Sequence, residues 1–135
     1  MIYSLTELQL MIMTVLWEKQ EATVIDIHDA LRSQRRIAQS TVATLLSRME
    51  DKGVVSRREV GRQYIYRATV TPDQVRHSVV KEFAGATKRL FSGDIASLVS
   101  QLLSTTDVTP KDLARAREII EEKERELRKA RRGKK

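Results

Sequence analysis

One stretch in the middle of the chain constrains the fold more than any other. An amphipathic helical pattern begins near Gln39 and ends at Gly53, since glycine tolerates the left-handed conformation that terminates helices. Two short β-rich runs follow, covering residues 54–60 and 63–68, and Gly61 supplies the backbone freedom for a tight tip between them. The order helix, strand, tip, strand predicts a winged helix-turn-helix.

The rest of the chain predicts helices, two before this stretch and three after it. The start signals are a Ser or Thr cap with a helper residue three positions later, or a Thr-Pro pair, at Thr6, Thr23, Thr71 and Thr109. The tail from Arg128 has no apolar face, so we expect it to fray. The predicted fold class is mainly α with a small β-wing. We place a winged-helix DNA-binding domain in residues 1–70 and a helical dimerisation domain of three helices in residues 71–135.

Charge is distributed unevenly along the 135 residues, whose formal net charge is +7. Residues 32–67 carry nine basic and three acidic side chains, and residues 111–135 carry eleven and six, whereas residues 1–31 are acidic. Two basic blocks of this kind are typical of a protein that binds nucleic acid. We interpret the C-terminal block as a solvated face.

The outward side of the helix after Gln39 carries mostly short side chains. Short residues let a helix backbone approach base edges in the major groove, where threonine methyls can contact thymine methyls and hydroxyls can bond phosphates. Alternatively, Thr41 only caps the helix and Ser47 is a surface residue without a role in binding. The candidate DNA-binding residues of this helix are Gln39, Ser40, Thr41, Ala43, Thr44, Ser47 and Arg48.

The predicted wing adds Arg57 and Arg62 to the candidate DNA contacts. Arg62 lies at the tip, where it can enter a minor groove or bind a phosphate. Tyr64 and Tyr66 alternate on one strand face, and we interpret them as packing of the hairpin rather than as base stacking.

Several other classes of site lack their residues. The chain has no cysteine, its two histidines are isolated, and it holds no phosphate-binding glycine loop, so we expect no metal, no cofactor and no catalytic site. No apolar run is long enough to span a membrane and the N-terminus lacks a signal peptide's basic region, so we expect a cytoplasmic protein without membrane insertion.

The C-terminal helices carry apolar stripes but few residues with which to bury them. A module this small rarely stabilises itself, so we expect a homodimer, and the alternative is that these helices fold back on the N-terminal module. The predicted dimerisation residues are Val75, Val79, Phe83, Leu90, Ile95, Leu98, Val99, Leu102, Leu113, Ile120 and Leu127.

The chain resembles the penicillinase-repressor family of bacterial transcriptional regulators, which includes methicillin-resistance and copper-responsive repressors. The segments that carry the resemblance are residues 5–17, 40–57, 61–68 and 91–103. The resemblance implies a homodimer that represses transcription on palindromic double-stranded DNA operators, using Ser40, Thr41, Thr44 and the wing.

Two departures from the family pattern concern the inducing signal. The cysteine motif of the copper-responsive members is absent, which argues against copper sensing. Antibiotic-responsive members are cut by a membrane sensor protease at an Asn-Phe pair, and the corresponding cleavage position here is Gln101-Leu102. We interpret that pair as ordinary helix packing, so the resemblance raises the protease as a partner without supplying its recognition residues.

Our hypothesis is a dimeric repressor that occludes a promoter and releases it when the dimer is cleaved or destabilised. One alternative is a winged-helix module that binds protein or RNA, mainly through its basic C-terminal helix. Another is a small-molecule-sensing regulator of the same fold, which requires a ligand pocket.

Overall fold

The computed structural model describes residues 3–133. Within that range it contains six α-helices and one two-stranded antiparallel sheet, which confirms the predicted class of a mainly α protein with a small β-wing. In the same range no helix has the length and apolar character needed to cross a bilayer. The elements are α1 (Glu7–Lys19), α2 (Val24–Leu31), α3 (Gln39–Asp51), β1 (Val55–Val60), β2 (Gln63–Ala68), α4 (Pro72–Leu90), α5 (Ile95–Thr105) and α6 (Pro110–Gly133).

Reciprocal caps start the first two helices. The Thr6 hydroxyl accepts the Gln9 amide at 3.2 Å while the Gln9 side chain accepts the Thr6 amide at 3.0 Å. Thr23 and Asp26 repeat the arrangement at 3.2 and 3.1 Å. The Thr23 amide and hydroxyl hold the pKa of Asp26 below its ordinary value, because they stabilise the charged carboxylate.

The first three helices and the hairpin share one hydrophobic core. Ile12 of α1, Ile27 of α2 and Leu46 of α3 are fully buried in it. Trp17 ties the end of α1 to the chain after β2, since its indole Nε1 donates to the Val70 carbonyl at 2.9 Å. This core fixes the face of α3 that points outward.

The wing is a hairpin with a two-residue turn. Val60 pairs with Gln63, which leaves Gly61 and Arg62 at the tip. Gly61 has φ of 64° and Arg62 does not have a positive φ, the combination found in type II′ turns. A further pairing is not indicated by any sequence pattern: Ala22 and Tyr66 exchange backbone hydrogen bonds of 3.0 and 2.8 Å.

The chain divides into two compact units, one reaching to Ala86 and the other beginning at Thr87. The division falls inside α4, and the early turns of α4 belong to the first unit because Val75 is buried in its core. A functional boundary at residue 70 stays a prediction, separate from this division into compact units.

The second unit leaves its apolar side chains uncovered. No described residue of α5 or α6 is buried. The expectation that the chain frays from Arg128 is wrong, because α6 continues to Gly133, and Lys134 and Lys135 lie outside the described residues. Basic side chains such as Arg131 and Arg132 favour a helix C-terminus through its dipole, and lysine, arginine and alanine are good helix formers.

Candidate nucleic-acid interface

Helix α3 is buried along one side and presents the opposite side to solvent. Val42, Leu46 and Met49 are fully buried at helical spacing. The seven side chains predicted to contact DNA are therefore left on the surface, and the structure shows each of them exposed: Gln39, Ser40, Thr41, Ala43, Thr44, Ser47 and Arg48. We call these seven residues the α3 stripe.

The start of the α3 stripe offers free backbone donors. The cap residue is Ala38, whose side chain cannot accept a hydrogen bond. The Thr41 amide bonds the Ala38 carbonyl at 3.0 Å, but the amides of Gln39 and Ser40 have no partner within residues 3–133. Free amides at a helix start attract anionic groups such as phosphate.

Thr44 has a defined orientation on the α3 stripe. Its hydroxyl donates to the Ser40 carbonyl at 2.9 Å. That bond occupies the hydroxyl proton, so Thr44 offers a partner its methyl group and its oxygen lone pairs. The orientation suits contact with a thymine methyl.

Arg57 on the wing contacts other side chains of the same chain. Its Nε lies 3.4 Å from Glu50 Oε2, and its guanidinium carbon is 4.2 Å from the centroid of the Tyr64 ring. The hydrogen bond with Tyr66 and the nearby Glu50 carboxylate raise the pKa of Arg57. Arg57 therefore stays charged, while its role as a DNA contact stays a prediction.

The remaining wing arginines differ in their partners. Arg62 at the tip and Arg67 on β2 are both exposed and form no ion pair with any residue in the described range, whereas Arg58 pairs with Glu21. Tyr66 is buried in the core, whereas Tyr64 is exposed and its ring stacks against the Arg57 guanidinium. The cation available to an external anion on the tip is thus Arg62.

One basic segment is not among the DNA contacts predicted from the sequence. Arg32, Arg35 and Arg36 lie between α2 and α3, directly before the α3 stripe, and all three are exposed. Three arginines within five residues beside a predicted recognition helix were the available signal. The arginines precede the helix, so they do not belong to the periodic pattern from which the α3 stripe was predicted.

No group of three or more His, Asp or Glu side chains in residues 3–133 is placed to hold a metal ion. His28 instead bonds the Ile37 carbonyl through Nε2 at 2.8 Å, a structural contact between α2 and the segment that leads into α3.

The residues predicted for dimerisation occupy two environments. Val75 is buried and Val79 packs against the same core, so these two side chains contribute to the core of the chain itself rather than to a free surface. Leu98 is half-buried. The others are exposed hydrophobic side chains: Phe83, Leu90, Ile95, Val99, Leu102, Leu113, Ile120 and Leu127. Of the pair predicted as a cleavage position, Gln101 is likewise exposed.

Comparison with known proteins gives consistent matches over most of the chain. The model of the penicillinase repressor family matches residues 5–122. A penicillinase repressor of Staphylococcus aureus is 22% identical over 109 residues, covering 81% of this chain and 84% of the relative. The methicillin resistance regulatory protein MecI of Mammaliicoccus sciuri is 22% identical over 121 residues, covering 90% and 96%. The solved DNA-binding domain of the repressor BlaI aligns with a TM-score of 0.49 at 21% identity, covering 53% of this chain and 88% of that domain.

Proposed function

This chain belongs to the penicillinase repressor family of DNA-binding transcriptional repressors, which are not enzymes, and from that premise we propose that it binds palindromic operators as a homodimer. The α3 stripe reads the major groove and the wing tip binds the adjacent backbone or minor groove. Occupation of the operator blocks the promoter.

The proposal rests on one structural feature. The first unit exposes a helix face of small residues and also, on the wing, a cation without an ion pair among the described residues. Six of the seven residues of the α3 stripe are uncharged, which permits close approach to base edges, and Arg48 adds a charge at its far end. Arg62 has no ion pair among residues 3–133 that would compete with a phosphate. Base recognition is thus assigned to α3, and binding of the DNA backbone to the wing.

The second unit supports the homodimer. Leu113, Ile120 and Leu127 recur every seven residues along α6 and remain exposed in a single chain. Heptad spacing of this kind places the three side chains in one seam, which a second helix can cover. A two-fold dimer places two recognition helices about one turn of DNA apart, or a multiple of it, and so matches an inverted repeat.

Release of the operator follows separation of the two copies. A single winged helix contacts only one half-site, so loss of the partner removes half of the interface. A cut between Gln101 and Leu102 in α5, the pair that corresponds to the family's cleavage position, would divide the dimerisation module. A membrane sensor protease is one agent of such a cut, and ligand-induced destabilisation is another.

Selection of preferred sites from random duplexes, followed by footprinting, tests this function. We expect an inverted repeat to be enriched and protected over both half-sites. Protection of random duplex equal to that of the selected site would refute sequence-specific repression.

Removal of residues 128–135 distinguishes the protein- or RNA-binding alternative. That alternative uses the basic end of α6 as its main surface and predicts a large loss of binding. The proposed function predicts little change in operator affinity, because the α3 stripe and Arg62 remain intact.

A further inference from the structure

A concave site at the turn between α2 and α3 belongs to neither the α3 stripe nor the wing. Its volume is about 610 Å³, and its lining is His28, Arg32, Arg35, Arg36, Ile37 and Ala38. Three arginines therefore line one cavity, and the residue after Ala38 begins the α3 stripe. We call this cavity the arginine pocket.

The arginines of the arginine pocket form only weak ion pairs, or none, within the described residues. Arg36 forms no ion pair within residues 3–133. Arg32 lies 3.5 Å from Asp29 and Arg35 lies 3.9 Å from Glu7, and all four side chains are largely exposed. Exposed pairs of this kind contribute about 0–1 kcal/mol, so an incoming anion can replace the carboxylates.

The wall of the arginine pocket is held in place by His28. Its Nε2 donates to the Ile37 carbonyl at 2.8 Å, which assigns the ring proton to Nε2 because a carbonyl can only accept. Nδ1 is buried and has no hydrogen-bond partner in the described part of the chain. His28 thus fixes the backbone between the arginines and the start of α3.

The chemistry of the pocket identifies its ligand class. A guanidinium presents planar, paired donors that match the oxygens of a phosphate group. The free amides of Gln39 and Ser40 follow directly along the chain, so the same turn offers further donors to an anion. A monovalent anion without several acceptor oxygens would leave most of these donors unused.

We propose that the arginine pocket docks one backbone phosphate of operator DNA, with Arg36 as its main contact and His28 as a positioning residue. This inference rests on the proposed function and adds a third contact to it. A phosphate bound directly before the α3 stripe fixes the depth and register at which the stripe enters the major groove. The pocket itself reads no bases.

The salt dependence of DNA binding tests the pocket in the full-length protein. Each neutralised phosphate contributes about 0.9 to the slope of log affinity against log salt concentration on duplex DNA. We expect Arg36→Gln to reduce the slope by about that amount and to weaken binding to operator and random duplex by the same factor. Arg76→Gln is the matched control, since it removes one exposed arginine charge that pairs with Asp73 in α4.

The two proposals fail in different ways. Suppose that wild-type protein binds DNA, and that Arg36→Gln and Arg76→Gln have the same salt slope and the same affinity. The arginine pocket is then refuted and the repressor function is not. If wild-type protein itself shows no salt-dependent binding to duplex DNA, both are refuted.

The positioning role of His28 has its own readout. His28→Ala is expected to lower the salt slope as Arg36→Gln does, because the Ile37 carbonyl is released. His28→Gln retains an amide donor for that carbonyl and is expected to restore the slope. Equal slopes for the wild type and His28→Ala would remove His28 from the proposal.

Discussion

Thr44 is the single residue whose geometry bears most directly on base reading. Its side chain is exposed and its hydroxyl donates to the Ser40 carbonyl, which leaves the methyl group and the oxygen lone pairs for a partner. We predict that Thr44→Ser, which removes only the methyl, changes the base preference at one operator position by roughly 1 kcal/mol, about fivefold. Thr44→Val keeps the methyl and should preserve that preference.

Binding titrations with operators changed one base pair at a time measure the effect of Thr44. An equal loss of affinity for specific and random DNA in Thr44→Ser would assign the side chain to general binding rather than to base reading.

Arg62 and Arg58 test whether an unpartnered wing cation binds the DNA backbone. We predict that Arg62→Ala weakens binding to all duplexes by about tenfold, since a hydrogen bond to a charged group is worth roughly 1.5 kcal/mol. Arg58→Ala removes the same charge from the same hairpin, but the Arg58 guanidinium donates to Glu21 at 2.5 Å, a closer pair than that of Arg32 with Asp29 or of Arg35 with Glu7, so a smaller loss is expected. Fluorescence anisotropy on labelled duplexes compares the two, and equal losses would contradict the distinction.

Asp26 makes the stability of the first unit depend on pH. Its pKa is lowered in the folded chain by the hydrogen bonds from Thr23, so its carboxylate stabilises the fold at neutral pH. That contribution is present above the ordinary value of 3.8 and is lost as the pH falls through the lower, folded pKa. We predict that Asp26→Asn lowers the free energy of unfolding at pH 7 and that the difference from wild type shrinks below pH 3.8.

Urea titrations followed by the fluorescence of the single tryptophan, Trp17, measure this difference. A constant difference between the two proteins from pH 7 down to about pH 3 would contradict the assignment, because a neutral acid and an amide should cap similarly.

At the scale of elements, the wing depends on the backbone of its tip. Gly61 has φ of 64°, and no atom lies within 4 Å of the position a Cβ would take, so only the backbone conformation opposes a side chain there. We predict that Gly61→Ala lowers the free energy of unfolding by about 1 kcal/mol. Gly85 lies within α4 in equally open space, and Gly85→Ala should raise it by about 0.5–1 kcal/mol.

Thermal unfolding followed by circular dichroism separates these two glycines. A stabilising effect of Gly61→Ala would show that the tip does not require the left-handed conformation.

The starts of the elements could be predicted from the sequence because caps are local. Thr23 with Asp26 and Thr109 with Asp112 form the expected reciprocal bonds, and Gly61 lies at the expected tip. These signals lie within four residues of one another, so no tertiary information is needed to interpret them.

Features that depend on tertiary contacts were not predictable. The apolar stripe of α4 has the same spacing whether it packs on its own chain or on another, so Val75 could not be separated from Leu90. The single pair between Ala22 and Tyr66 has no periodicity to reveal it. The arginine pocket is formed where Arg36 and His28 meet across a turn, and the sequence shows only that both residues exist.

At the scale of the whole molecule, the uncovered heptad positions of α6 predict self-association. We expect Ile120→Asp to weaken the dimer at least about 100-fold, because burying an unpaired carboxylate in an apolar seam costs roughly 3 kcal/mol. Arg115→Asp introduces the same group at an exposed α6 position outside the seam and should have little effect. Sedimentation equilibrium measures both, and a monomeric wild type at micromolar concentration would contradict the dimer.

Operator recognition by a two-fold dimer is tested most directly by three affinities of the full chain. They are its affinities for the selected inverted repeat, for a single half-site and for random duplex, all at physiological salt. We predict that the inverted repeat binds one dimer, at least about 10³-fold more tightly than random duplex and more tightly than one half-site. Equal affinity for all three duplexes would contradict sequence-specific recognition by a two-fold dimer.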